Sequence, residues 1–280
     1  MNAKKLFIIP ALFIAFGALG QEANLTVKPV VKKKYDLNLN SLTDVTQTMA
    51  GMEMKASIAY TAKAVMEIEE VNSNGNFTVL STWKDIEVTS SVMGKDTTLH
   101  AENMNVTIKT IYDKSGKIIK SDRMNTSGST DPAVAMIEQL GRNVKLPVLP
   151  AKTTKKGDTW QSYTNDTIQT MEFPMAMIID VEDEYSFAGS VTENGVEYYR
   201  INKAGPTRVS AEGKQEGMDM HIEGTGMNES YLLLDKATLL PVKIEEKTGM
   251  DMSIIMSGPQ SMAIPMTQNT VTKIKFSEVK

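Results

Sequence analysis

The sequence contains no cysteine and only two histidines, His100 and His221. The first absence excludes disulfides, thiolate metal sites, a cysteine nucleophile and the lipobox thiol of a bacterial lipid anchor. The second leaves zinc with too few ligands unless carboxylates complete the site. No G-x-S-x-G elbow, glycine-rich phosphate loop or D-x-D-x-D-G calcium loop is present, so the chain reads as a non-enzyme without cofactor or metal. Long apolar runs are also scarce. The one that stands out, Leu6 to Gly20 after Lys4 and Lys5, is shorter than the roughly 20 residues of a membrane span and ends in small residues. It reads as a signal peptide cleaved after Gly20, which implies a periplasmic or secreted protein with no stable membrane anchor. Cleavage removes Lys4 and Lys5, leaving 28 of the 30 basic residues against 34 acidic ones. That balance excludes nucleic acid as a partner, because phosphate binding needs clustered Lys and Arg.

What the chain does have is methionine, 20 residues of it, and one long alternating stretch. From Met52 every second residue (Met52, Met54, Ala56, Ile58, Tyr60, Ala62, Ala64, Met66, Ile68) is uncharged. The intervening set, Glu53, Lys55, Ser57, Ala59, Thr61, Lys63, Val65 and Glu67, is mostly charged or hydroxylated. Period two describes a strand with one dry and one wet face. At about 3.3 Å per residue it spans roughly 55 Å, so it must bend around something.

Taken in order, residues 21–34 read as a solvated leader and Tyr35 to Leu39 as a first strand. The long strand follows and turns at Asn74-Gly75 into Phe77 to Val88. Shorter strands are expected at Leu99 to Met104, Val106 to Tyr112 and Lys117 to Asp122. Asp131 as cap, Pro132 at the first helical position and Val134, Ile137 and Leu140 at helical spacing predict one helix, 132–140, packed against the concave face of the first sheet. Residues 144–157, with Pro147 and Pro150, read as a connector between an N-terminal β unit (35–143) and a C-terminal one (158–280). In the second unit, strands are expected near Met175 to Phe187, Glu197 to Asn202, Met218 to Ile222, Glu229 to Asp235, Pro241 to Glu246, Met250 to Met256 and Thr270 to Phe276. Asn194-Gly195 answers Asn74-Gly75 at an offset of 120, and Asp235-Lys236 answers Asp113-Lys114 at 122, so the second unit reads as a repeat of the first. Gly217, Gly224 and Gly226 read as bends or bulges.

The connector motif Leu146-Pro147-Val148-Leu149-Pro150 with Gly157-Asp158-Thr159-Trp160, and the segment Leu234-Asp235-Lys236-Ala237-Thr238-Leu239-Leu240-Pro241-Val242-Lys243-Ile244, resemble segments of secreted β proteins of Bacteroidetes of the DUF6263 type. More distantly they resemble the LolA/LolB-like lipoprotein-carrier superfamily. The resemblance implies a curved antiparallel sheet, an incomplete barrel with a helix packed in its mouth, in an envelope compartment. Combined with the repeat, which departs from the single sheet of a LolA-type carrier, the expected fold is mainly β: two duplicated curved antiparallel sheets, half-barrel and LolA-like, with one short helix between them. The resemblance supplies no catalytic residues.

The pairs Met52/Met54, Met175/Met177, Met218/Met220 and Met250/Met252 place two thioethers on one strand face, a spacing that suits Cu(I) and equally a flexible apolar lining. His221, next to Met220, alternates onto the opposite face, which favours the lining. The acidic runs Glu67 to Glu70 and Glu182 to Glu184 read as solvated charge. Asp183 is the exception, since it interrupts an apolar face and must pair with a lysine, sit at a bulge or line a pocket. The resulting expectation is a non-catalytic extracytoplasmic protein that binds or carries an apolar small molecule, lipid or lipidated envelope protein. Its lining residues are Met52, Met54, Ile58, Tyr60, Met66, Met175, Met177, Met218, Met220, Met250 and Met252. The alternatives are an envelope interaction protein with a closed β core and a Met-based copper protein.

Overall fold

A computed structural model describes residues 21–49, 51–102, 104–124, 144–169, 175–215, 218–258 and 261–279. Every regular element among them is a strand: β1 (Glu22–Asn24), β2 (Lys34–Met49), β3 (Met52–Val71), β4 (Phe77–Val92), β5 (Lys95–Ala101), β6 (Val106–Tyr112), β7 (Ile118–Arg123), β8 (Thr153–Lys155), β9 (Thr159–Gln169), β10 (Ala176–Glu193), β11 (Val196–Gln215), β12 (Met218–Asp235), β13 (Pro241–Ser257) and β14 (Met262–Glu278). The helix expected at 132–140 lies outside the described residues.

The mainly β class holds, but the two halves do not form two sheets. They make one antiparallel 12-stranded sheet in the order β7-β6-β4-β3-β2-β14-β13-β12-β11-β10-β9, with β5 added to β4, and it does not close into a barrel. Two meanders run outward from the centre, where the first and last long strands pair from Tyr35↔Glu278 to Gln47↔Met266. The sheet bends as the length of β3 requires. Its register with β4 shifts between Lys63 and Ala64 and again between Ile68 and Glu70, the irregularities that let a long strand turn.

The hydrophobic core collects at one end of this sheet. Leu37 and Leu39 of β2, Ala62, Ala64, Met66 and Ile68 of β3, Phe77 and Trp83 of β4, Tyr112 of β6, Phe187 of β10, Ile201 of β11, Leu232 of β12 and Phe276 of β14 form one buried cluster. Strands from opposite margins meet there because two connecting segments fill the space between them. Residues 21–34, expected as a solvated leader, are the first of these. Ala23, Leu25 and Val27 are buried, and the segment pairs with β8 at Glu22↔Lys155. The reason is its own period of two: Ala23, Leu25 and Val27 alternate with Glu22, Asn24 and Thr26, a pattern short enough to pass for noise. The connector is the second, burying Leu146 and Leu149.

Both Asp turns cap this closed end. Asp113 Oδ1 accepts from Ser115 N and Lys117 N. Asp235 Oδ1 accepts from Ala237 N and Thr238 N. The N-terminal segment is held between them, since Val27 N donates to Lys114 O and Lys28 N to Thr238 O. The Asn-Gly turns are less alike. Asn194 and Gly195 both have positive φ and close a two-residue hairpin between Glu193 and Val196, whereas the turn at 72–76 is longer and needs positive φ only at Gly75.

Candidate functional site

Residues opposite one another in an antiparallel ladder share a face, so the registers assign the inner face row by row. Starting from the buried Leu39, the first row crosses Ile274, Ile244, Leu232 and Ile201, all apolar and buried. Two residues further along each strand, the row reads Ser41, Thr272, Glu246, Ser230, Lys203 and Tyr185. The next is Thr43, Thr270, Thr248, Asn228 and Gly205, and Asp183 of β10, opposite Ser162 of β9, continues it. Beyond this polar belt the face turns largely apolar, through a row of Val45, Gln268, Met250, Gly226 and Thr207 and then one of Gln47, Met266, Met252, Gly224 and Val209.

The belt is tightly built. Hydroxyls pair across the central strands, Ser41 with Thr272 at 2.9 Å and Thr43 with Thr270 at 3.0 Å. The Lys203 ammonium lies 2.8 Å from Glu246 and 3.7 Å from Asp183, so the lysine anticipated as a partner for Asp183 is on the neighbouring strand. Burial pushes the Asp183 carboxyl above its ordinary range, and the Lys203 charge and nearby Asn228 amide only partly reverse this. Burial lowers the Lys203 ammonium, but Glu246 and Asp183 outweigh it, so it stays charged. Tyr185, adjacent on β10, is raised by burial to about 12. Among the described residues Asp183 Oδ1, Asn228 Oδ1 and Ser230 Oγ are buried with no hydrogen-bond partner. A buried acceptor in that state costs about 1–3 kcal/mol.

Glycines make the next rows possible. A Cβ on Gly224 would lie 2.4 Å from Met252 Cγ, and one on Gly226 would lie 2.7 Å from Met250 Cγ. The register with both neighbours runs unbroken through these residues, so of the bends or bulges expected of them the bulge is excluded; they leave room for the Met side chains beside them. Gly217 lies outside the described residues.

The predicted lining residues separate by position. Met66 is sealed in the main core, against which Ile58 and Tyr60 pack half-buried. Met175 and Met220 are buried in a small second cluster with Ala211 and Ile222, joined by Met177, Ile254 and Met256. Met54, Met218, Met250 and Met252 are half-exposed, and Met52 is 67% exposed at the rim. A cleft of about 560 Å³ opens at this rim between β11 and β12, lined by Glu212, Lys214, Asp219, Met220 and His221 among others, away from the polar belt. The sequence reading missed Lys203, Asn228, Ser230 and Glu246.

The histidines lie apart. His221, on the outer face, is 3.6 Å from Glu212 and 3.5 Å from Glu223. His100 bonds Glu102 at 2.7 Å, which with Glu87 raises its pKa. Among the described residues no group of three His, Asp or Glu side chains has the arrangement to hold a metal ion.

No protein-family model matches the chain, and no curated protein does. Among solved structures it is similar to OccK2 (OpdF) of Pseudomonas aeruginosa, at 8% identity over 87% of this chain and 98% of that one, TM-score 0.30. It is similar to a DUF1329 family protein from Desulfovibrio piger at 10% identity, covering 89% and 85% of the two chains, TM-score 0.21. To the transport unit of the autotransporter AIDA-I from Escherichia coli the identity is 10%, the coverage 88% and 90%, and the TM-score 0.23. None of the three is of the DUF6263 or LolA type, and at these TM-scores they establish no shared fold.

Proposed function

We propose that this chain is a non-catalytic binding or carrier protein of the cell envelope that holds an apolar ligand, or the lipidated part of a partner, on the Met-rich half of its inner face. One observation carries the reading. Beyond the polar belt the inner face is largely apolar yet open, with Met54, Met250, Met252 and Ile254 half-exposed, whereas Leu37, Ile201 and Ile274 at the closed end are buried. Thioether chains adapt to varied apolar surfaces, so a lining of this kind suits ligands of irregular shape. The outer face supports an aqueous setting. It presents Glu53, Lys55, Lys63, Lys243, Glu245, Lys273 and Lys275, and each of these lysines would cost about 2–4 kcal/mol at the midplane of a lipid-facing barrel. The signal-peptide reading of the first residues and the resemblance to secreted β proteins support a location outside the cytoplasm.

The test is native mass spectrometry of the protein purified from the periplasm without detergent. A co-purifying lipid, or failing that saturable binding of the apolar fluorophore N-phenyl-1-naphthylamine, is the expected result. A clean polypeptide mass together with no saturable binding would end the carrier reading, and a copper adduct would return the Met pairs to metal chemistry.

A further inference from the structure

The inner face is divided, and the division has a ligand chemistry. Resting on the carrier reading, we propose that its cargo is an amphiphile whose chain lies on the Met rows and whose head, cationic or uncharged and donating hydrogen bonds, docks at Asp183, Asn228 and Ser230.

The head site is defined by what its groups lack. Asn228 is 3% exposed and Asp183 is 8% exposed, yet each keeps one buried oxygen without a partner among the described residues, as does the Ser230 hydroxyl. Asn228 commits its amide nitrogen to Gly205 O at 3.0 Å and to Thr207 Oγ1 at 3.4 Å, which leaves its carbonyl oxygen as the free end. Two bare acceptors and one hydroxyl call for donors. Charge points the same way, because the single cation Lys203 stands between two carboxylates, Asp183 and Glu246, leaving a net charge of −1 for a cationic head to neutralise. An anionic head meets acceptors and excess negative charge together, and a wholly apolar cargo leaves every one of these oxygens unsatisfied.

The chain site begins one row away on the same face. From Asn228 the rows proceed through Met250 and Met252 to Ile254 and Met256, the last opposite Met220. Eight residues of strand at about 3.3 Å each give roughly 26 Å, ample for an acyl chain that fills one leaflet, half of the bilayer core of about 30 Å. The closed core on the belt's other side offers such a chain no entry, so head position and chain direction are fixed together.

The experiment is displacement of N-phenyl-1-naphthylamine from the full mature protein by dodecylamine, dodecanol and dodecanoate, which share a chain and differ in the head. The amine should displace at a concentration about ten-fold lower than the carboxylate, the alcohol falling between, the margin of a hydrogen bond to a charged group. Asp183→Asn should remove most of the amine's advantage while leaving dodecanol within about two-fold, and Ser230→Ala, a smaller change, should weaken amine and alcohol alike. Equal displacement by all three heads would overturn the head site while leaving chain binding intact. Displacement best by dodecanoate would overturn it equally. A fluorophore that never binds would overturn the carrier reading and this inference with it.

Discussion

The Asn228 side-chain nitrogen donates to the backbone carbonyl of Gly205 on the adjacent strand at 3.0 Å, and Gly205 in turn lies so close to β10 that it has no room for a side chain. A Cβ there would stand 1.8 Å from the carbonyl oxygen of Glu182. Gly205→Ala must therefore displace backbone, and the expected loss is about 3 kcal/mol, at the upper end of overpacking penalties. Gly249→Ala is the control, since its Cβ would meet only Asn269 Oδ1 at 3.4 Å, and a gain of up to about 0.5 kcal/mol is expected there from the lost chain entropy of glycine. Urea denaturation of both variants checks the contrast, and equal effects would mean that β10 and β11 are less closely apposed than described.

Removing the belt's cation should be worse than removing the whole pair. Lys203 and Asp183 side chains are 16% and 11% exposed, so Lys203→Met strands a buried carboxylate and should cost about 3–5 kcal/mol. Adding Asp183→Asn should restore most of that loss, leaving the double variant within about 1–2 kcal/mol of the parent. A double-mutant cycle measures the coupling, and additive losses would show that the two charges do not sense each other.

The pH response of the same carboxyl has a definite sign. Asp183 is harder to ionise folded than unfolded, so the native state holds its proton to higher pH and stability falls as pH rises from the ordinary aspartate range, about 3.9, through the raised folded value. Other groups titrate in this window, so the quantity to follow is the difference between parent and Asp183→Asn. The parent's relative stability should be greater at pH 4 than at pH 7, measured by denaturant unfolding at both. A difference that stays flat, or that grows with pH, would contradict the burial of this group.

The polar belt also explains how far the fold was legible. Strand alternation was read correctly where the inner face is apolar, as in β3, where Met52 to Ile68 spans most of the observed Met52–Val71. It failed on β2, β11, β12 and β13, where the belt crosses, although β10 was read through Asp183. Ser41 and Thr43 ended the first strand at Leu39, although β2 runs on to Met49. Gly224, Gly226 and Asn228 split β12 in two, and Thr248 and Gly249 split β13. β11 was cut at Asn202, one residue before Lys203, and β9 was not read at all. Asp183 was singled out because its flanks, Val181 and Tyr185, are apolar. Its partners Lys203, Asn228 and Glu246 were not, because each lay at or beyond a strand end that the belt itself had created. Parity held the missing information: Ile201, Lys203, Gly205, Thr207 and Val209 continue one face in steps of two.

Position along the inner face should separate stability from binding. Met66 is 6% exposed in the closed core, so Met66→Ala should cost about 2–5 kcal/mol and leave fluorophore affinity of the folded protein unchanged. Met252 is half-exposed beyond the belt, and Met252→Glu should cost about 1 kcal/mol or less while weakening the fluorophore about ten-fold or more through the carboxylate placed against its apolar surface. Thermal melts beside a binding titration distinguish the two, and loss of binding on the Met66 change alone would relocate the ligand to the closed end.

The N-terminal segment should behave as core, against its appearance in the sequence. Leu25 is fully buried, its amide donates to Lys152 O, and its carbonyl accepts from Ala151 N. The two following contacts, Val27 N to Lys114 O and Lys28 N to Thr238 O, tie turns contributed by the two halves of the sheet. Leu25→Ala should therefore cost about 2–5 kcal/mol. Deleting residues 21–28 should do more, because it exposes the apolar faces of both margins at once and removes the link between them. The deletion is expected to lose cooperative unfolding and to bind a hydrophobic dye across its surface, while Thr26→Ala, on the solvent side of the same segment, stays within about 0.5 kcal/mol of the parent. A deletion variant that melts like the parent would show that the sheet curls without this segment, and the closed end would then owe its core to the connector and strands alone.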